Sequence, residues 1–185
     1  MSLSFIPMQT KHAEMLLRWR TDPFITQFMY TDLEHHDVDK QIAWIETMQR
    51  AEDYQGFVVH DAGQPVGFIC FSDINQQHQR CSTGSYIYEK QARLKYAATL
   101  HTYICNYAFH ALGMNKIENF LLAPNKKVLQ LQRLHKSTEV GCLREHIYKN
   151  GAFHDVYIFE ILKRDWAEQK QHYPLAQILS AFGQA

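Results

Sequence analysis

Three cations, Lys90, Arg93 and Lys95, crowd one short stretch of this chain, and Tyr96-Ala97-Ala98 then continue into an apolar helical pattern. A helix start leaves backbone N–H donors without partners, and small residues let an anion approach them, so the stretch suits a phosphate or diphosphate. The competing reading is an ordinary basic first turn, where the helix dipole disfavours Lys. Tyr96 fits the phosphate reading only with its ring turned inward, and it does belong to the apolar stripe of the helix. Just upstream, CSTGSYIY (81–88) alternates, with Ser82, Gly84, Tyr86 and Tyr88 on one face and Cys81, Thr83, Ser85 and Ile87 on the other. Tyr86, Tyr88 and Glu89 thus adjoin the cations and carry proton-transfer groups: Glu89 or Tyr88 as a base toward an ammonium, Tyr86 or Tyr88 as a proton donor. Glu118, His101 and His135 are further candidates, each equally readable as a solvated or structural residue.

Other chemistries find little support. The 11 histidines are scattered without HExxH or comparable ligand spacing, so no metal is expected. Cys70, Cys81, Cys105 and Cys142 make no CxxC pair, and reduced, mostly buried thiols are expected, with a Cys70–Cys81 bridge as the alternative. Nineteen Lys+Arg balance 19 Asp+Glu, and no basic stripe is interleaved with aromatics for nucleic acid. No apolar run nears the roughly 20 residues of a membrane span. MSLSFIPMQTKH has neither the basic nor the apolar region of a secretory leader, which makes the cytoplasm the expected location. At 185 residues, with 46% hydrophobic and 21% charged, the chain suits one globular core.

The periodicity supplies a scaffold for these residues. Ser4–Met8 is a short strand; Thr10 caps a helix to about Arg20, which Asp22-Pro23 ends. Phe24–Tyr30 is a second helix or turn, and Asp37 opens a third helix. GFVVH, the turn HDAGQP, VGFICFSDI and CSTGSYIY form a meander of three strands. A helix from about Lys95 to Leu112 ends at Gly113 and leads to KIENFLLA, a strand parallel to CSTGSYIY. Asn125 caps a helix to about Lys136, CLREHIYKN and DVYIFEIL close a hairpin at Gly151, and WAEQKQHYPLAQILSAF is a helical tail.

That order, with the segments LLRWRTDPFITQFM, VGFICFSDIN, PNKKVLQLQRLHKSTEVGCLREH and NGAFHDVYIFEILKRDW, resembles the GCN5-related N-acetyltransferase (GNAT) superfamily. Within it the chain is most similar to the ribosomal-protein-type and pseudaminic-acid pathway amino-sugar N-acetyltransferases. The resemblance implies one α/β domain over residues 1–166, with a mixed central sheet, helices on both faces, and a fourth and fifth strand that splay apart. Residues 167–185 would be a helical C-terminal tail packed on or extending it.

The resemblance also implies acetyl-CoA as cosubstrate. Its Arg/Gln-x-x-Gly-x-Gly/Ala phosphate loop corresponds to Arg93, Leu94, Lys95, Tyr96, Ala97 and Ala98, with Tyr96 at the middle glycine. A Leu-Gly-Phe of the family is replaced by His135-Lys136-Ser137, and Gln132 takes the place of a frequent Tyr. Ile87 would polarise the thioester carbonyl and Leu122 line the pantetheine slot. Asn125 would bind the arm, or act only as a helix cap. Trp19, Arg20, Met29 and Tyr30 would form the acceptor wall, Arg20 toward a diphosphate, unless Trp19 is simply core. The implied acceptor is the amine of a nucleotide-linked amino sugar. The alternatives are a protein N-terminal or side-chain amine, or a non-catalytic protein that keeps the fold. Exposed strand edges and the Phe28-Met29 segment are compatible with a homodimer.

Overall fold

Strands whose side chains alternate between two apolar layers organise the molecule. The computed structural model describes residues 3–30, 32–33, 36–167 and 174–183. Among these, β1 (Leu3–Pro7), β2 (Gln55–Asp61), β3 (Gln64–Asn75), β4 (Arg80–Ile87), β5 (Lys116–Leu122), β6 (Thr138–Lys149) and β7 (Ala152–Leu162) form one sheet in the order β1-β2-β3-β4-β5-β7-β6. Only β4 and β5 run parallel. Two hairpins turn on residues in the left-handed region, Ala62-Gly63 and Asn150-Gly151, whose twist matches that of the strands they join.

The alternation decides which core each residue joins. Phe57, Val59, Ile69, Cys81, Ile87 and Ile117 pack with α5 (Thr99–Asn106), the π turn Tyr107–Ala111, Trp166 of α7 (Lys163–Ala167) and Ile178 of α8 (Leu175–Ser180). Val58 and Phe68, on the opposite face, pack with Leu16 and Trp19 of α1 (Ala13–Thr21) and Ile45 of α3 (Val38–Arg50). The α8 turn is tied to the sheet, with Phe5 N donating to Ala181 O and the Phe182 ring stacked 4.0 Å from Phe5. Cys70 and Cys81 serve opposite layers, and all four cysteines are free thiols.

Two expectations about helix starts need correction. Gln9, not Thr10, caps the first helical segment, and its N–H reaches His12 Nδ1 at 3.1 Å. Thr10 instead begins a 3-10 turn (Thr10–His12). The helix expected from Lys95 begins five residues earlier and is broken, as α4 (Lys90–Tyr96) and then α5. Tyr88 N and Glu89 N both donate to Val66 O, which ends β4 and lets Glu89 cap α4. The expected caps at Asp37 and Gly113 are present: Asp37 Oδ1 accepts from Asp39 N and Lys40 N, and Gly113 adopts φ +74°.

Candidate active site

Parallel pairing of β4 with β5 covers only Arg80↔Lys116, Cys81↔Ile117 and Ser82↔Glu118. Beyond Ser82 the strands part, as the resemblance implied. Peptide groups alternate sides along a strand, so the partners fix who faces the gap. Tyr88 N bonds to β3 at Val66 O, whereas Thr83 N bonds toward β5; Ser85 and Ile87 therefore turn their peptide groups into the gap. Ala123 N bonds to Asp155 O beside β7, whereas Lys116 N bonds to Gln79 O on the β4 side; Phe120 and Leu122 therefore face the gap from the other lip. Two lips of unladdered peptide groups can accept an extended arm as though it were an added strand. Pantetheine is such an arm, and the residues present fit it.

At the closed end of the gap stands a residue that sequence reasoning passed over. Asn119 Oδ1 accepts from Thr83 N at 3.2 Å and from Thr83 Oγ1 at 2.8 Å. A buried Asn in the middle of IENFLL was the available signal, since Asn is depleted in strands.

The cationic stretch lies along α4 rather than at its start. Lys90 opens the helix, and Arg93 N is already bonded to Glu89 O and Ala97 N to Arg93 O. Tyr96 is fully buried with its ring inward, and its hydroxyl donates to Asp61 Oδ1 at 2.7 Å. Lys95 Nζ joins the same carboxylate at 2.9 Å. Hydrogen bonds from Tyr96 and then Lys95 hold the Asp61 carboxyl below its ordinary range. Arg93 donates to Tyr88 O at 2.9 Å and lies 3.9 Å above the Phe24 ring. Leu94 is exposed on the outer side, and the exposed Ala97 and Ala98 mark the break before α5.

The expected acceptor wall divides. Trp19 is 1% exposed and belongs to the second core, so it supports the wall from behind; its ring stacks on Tyr88 at 5.4 Å and meets Tyr86 edge-on at 6.3 Å. Burial pushes the phenols of Tyr54 and Tyr86 and the thiol of Cys70 upward, and the nearby Arg20 charge opposes each shift. Arg20 is thus within electrostatic reach of these three side chains. Met29 is partly buried and Tyr30 exposed, with burial on one side raising its phenol to about 12. Both lie between two anchors: Phe24 of α2 (Pro23–Thr26) under Arg93, and Asp32, which pairs with the buried ammonium of Lys149 at the end of β6. The segment thus runs from the β4 side of the sheet to the β6 side. Glu34 and His35 lie outside the described residues.

The proton-transfer candidates also separate. Glu118 is held by Arg80 at 3.1 Å and Lys116 at 2.7 Å, at the closed end of the gap. His135 follows the far end of α6 (Lys126–Leu134), ten residues and about 15 Å from Asn125. Its ring lies 4.2 Å from His101, so neither histidine joins Tyr86 and Tyr88. Glu89 is exposed at the α4 cap and lines a shallow cavity with Asp61, Gln64, Val66 and Gln91. The Asn125 carbonyl accepts from Val128 N and Leu129 N, but its side chain makes no capping bond to α6. Among the described residues, no group of three or more His, Cys, Asp or Glu is arranged to hold a metal ion, and no helix is long and apolar enough to cross a membrane.

Known proteins share this arrangement. The acetyltransferase (GNAT) domain family matches residues 2–133. The uncharacterized N-acetyltransferase p20 of Bacillus licheniformis is 24% identical over 170 residues, 89% of this chain and 95% of its own. Acetyltransferase PseH of Campylobacter jejuni is 25% identical over 135 residues, 73% of this chain and 82% of its own. The crystal structure of spermidine N-acetyltransferase from Vibrio cholerae, in complex with CoA and spermine, superposes with a TM-score of 0.84 at 20% identity, over 90% of this chain and 99% of that one, a likeness of fold. With the family match extending over most of a chain whose sheet opens between β4 and β5, the chain belongs to the GNAT acetyltransferase family and is an acetyl-CoA-dependent N-acetyltransferase.

Proposed function

We propose that the acceptor is the primary amine of an anionic small molecule, a nucleotide-linked amino sugar. The observation that carries this reading is the Arg20 charge acting on Tyr54 and Tyr86. Arg20 is partly buried, and its guanidinium fork matches phosphate oxygens. Three carboxylates of the covering segment are engaged elsewhere: Asp22 accepts from Phe24 N, Asp32 pairs with Lys149, and Asp37 caps α3.

In this reading acetyl-CoA supplies the activated acyl group, and its arm lies between the lips at Ser85, Ile87, Phe120 and Leu122. The Ile87 N–H faces the thioester carbonyl and favours the charge that develops on its oxygen. Asn125, with its side chain not spent on the helix cap, holds the arm at the mouth. The diphosphate lies against the Ala97-Ala98 break and the first amides of α5, flanked by Arg93 and Lys95. Glu89, the carboxylate adjoining Tyr88, takes the ammonium proton through water, and Tyr88 returns a proton to the leaving thiolate. Burial makes Tyr86 hold its proton, which suits it to donate a hydrogen bond to the acceptor instead.

The test pairs thiol release with mass spectrometry on nucleotide amino sugars, spermidine and an N-terminal peptide. Acetylation of the sugar nucleotide is expected, with Arg20→Ala raising the acceptor KM at least tenfold and leaving the acetyl-CoA KM unchanged. Turnover of the peptide or of spermidine, with none of the sugar nucleotide, overturns the acceptor assignment. Ligand at a hundredfold over Kd adds about 2.7 kcal/mol to the folded state; a melting temperature unmoved by saturating CoA would instead favour a protein that kept the fold without the reaction.

A further inference from the structure

The parting of β4 from β5 begins at one residue. Thr83 is the next β4 residue whose peptide group faces β5, and in a continued parallel ladder its N–H would donate to the Glu118 carbonyl. It donates instead to Asn119 Oδ1 at 3.2 Å, and the Thr83 hydroxyl donates to the same oxygen at 2.8 Å. The Asn119 side chain is buried, so its carboxamide stands between the strands as a spacer where a main-chain bond would otherwise draw them together. An apolar side chain there would leave Thr83 N–H seeking the next backbone acceptor, because a buried unpaired donor is costly.

We propose that Asn119 is a positioning residue for acetyl transfer: its bracket on Thr83 sets where β4 and β5 separate, and so the depth and width of the slot that receives the pantetheine arm. This rests on reading the gap as the arm's slot. Asn119 touches none of the reacting atoms; it acts through the Ser85 and Ile87 peptide groups, two and four residues along β4.

Three variants test it. Asn119→Leu removes the acceptor oxygen at similar volume, Asn119→Asp retains an oxygen, and Thr83→Val removes only the hydroxyl. In Asn119→Leu the strands zip further, so the Ser85 and Ile87 amides become protected from hydrogen exchange. CoA binding, measured by calorimetry, weakens about tenfold, the loss of roughly one well-made hydrogen bond, while the acceptor KM stays within twofold. Asn119→Asp stays close to the parent, and Thr83→Val falls between. Unchanged exchange at Ser85 and Ile87 in Asn119→Leu overturns the proposal. So does an equal loss of CoA and acceptor affinity, which marks general damage. If the parent itself fails to bind CoA, the slot reading falls, and the exchange comparison still decides whether Asn119 sets the separation.

Discussion

Acid should weaken this protein through His101, and the size of the effect can be worked out. Burial first, and then the charge of the neighbouring His135, push the His101 imidazole down to about 3. Its ring lies 4.2 Å from that of His135 and meets Trp166 edge-on at 5.7 Å. In the unfolded chain an imidazole titrates near 6.5. Between those values the folded protein keeps His101 neutral while the unfolded chain takes up a proton. The unfolded state then binds more protons, and stability falls as pH falls through 6.5 toward 3. At up to 1.36 kcal/mol per pH unit, lowering the pH from 7 to 5 costs about 2 kcal/mol from this group alone. That is an upper figure, because the residue keeps part of its surface in water. Against a total of about 5–15 kcal/mol it is substantial.

Burial also lowers His12, His110 and His135, so the parent's own pH profile does not isolate His101. Asp61, held below its ordinary range, acts only in more acid solution, outside the window. The decisive quantity is therefore a difference. His101→Phe keeps a flat ring against His135 and Trp166 but cannot take a proton. Urea unfolding at pH 7 and at pH 5 should show the parent losing about 2 kcal/mol more than the variant across that interval. Equal losses in the two proteins, or an NMR titration of folded His101 with its midpoint above 5, would refute the reasoning.

Two other consequences are open to direct measurement. Phe182→Ala removes a ring stacked on Phe5 at 4.0 Å and on Tyr107 at 4.1 Å and should lower the unfolding free energy by about 3–5 kcal/mol; a loss under 1 kcal/mol would mean that the tail contributes little to the main core. Asp32→Asn leaves the buried Lys149 ammonium without its carboxylate and should loosen the segment proposed as the acceptor wall, raising the acceptor KM several-fold with the acetyl-CoA KM unchanged; equal changes in both constants would detach this pair from acceptor binding.

The β2-β3-β4 meander and the parallel crossover to β5 were legible because Val58/Val59, Phe68/Ile69 and Cys81–Ile87 alternate without interruption, and a one-residue slip would exchange both cores. The turns at Ala62-Gly63 and Asn150-Gly151 declared themselves by residue type. The start of α4 was hidden because its cause is distant in sequence: Val66 O collects two amides from the end of β4. The apolar stripe from Tyr96 onward made Lys95 resemble a helix start, whereas its side chain is held by Asp61, thirty-four residues away. For Glu118, Trp19 and His135 the sequence left a structural and a functional reading open for a similar reason. Side-chain chemistry nominates a residue, but only tertiary contacts decide whether it meets an ion pair, a core or another ring.

The same distinction explains how a GNAT chain can carry Tyr96 in the helix that follows β4. The arm's slot is built from peptide groups, and their directions depend on strand register and on where the ladder stops, not on the side chains of residues 93–98. Tyr96 adds no obstruction, since its ring is buried in the main core and its hydroxyl is bonded to Asp61. In the proposed reading, acceptor choice rests on different material, the side chains of Arg20, Tyr54 and Tyr86 and the segment held by Phe24 and Asp32. Loops and side chains of that kind can change without disturbing either core. On that proposal, the main chain of β4 and β5 governs use of the thioester, and the face of α1 and α2 governs which amine receives the acyl group.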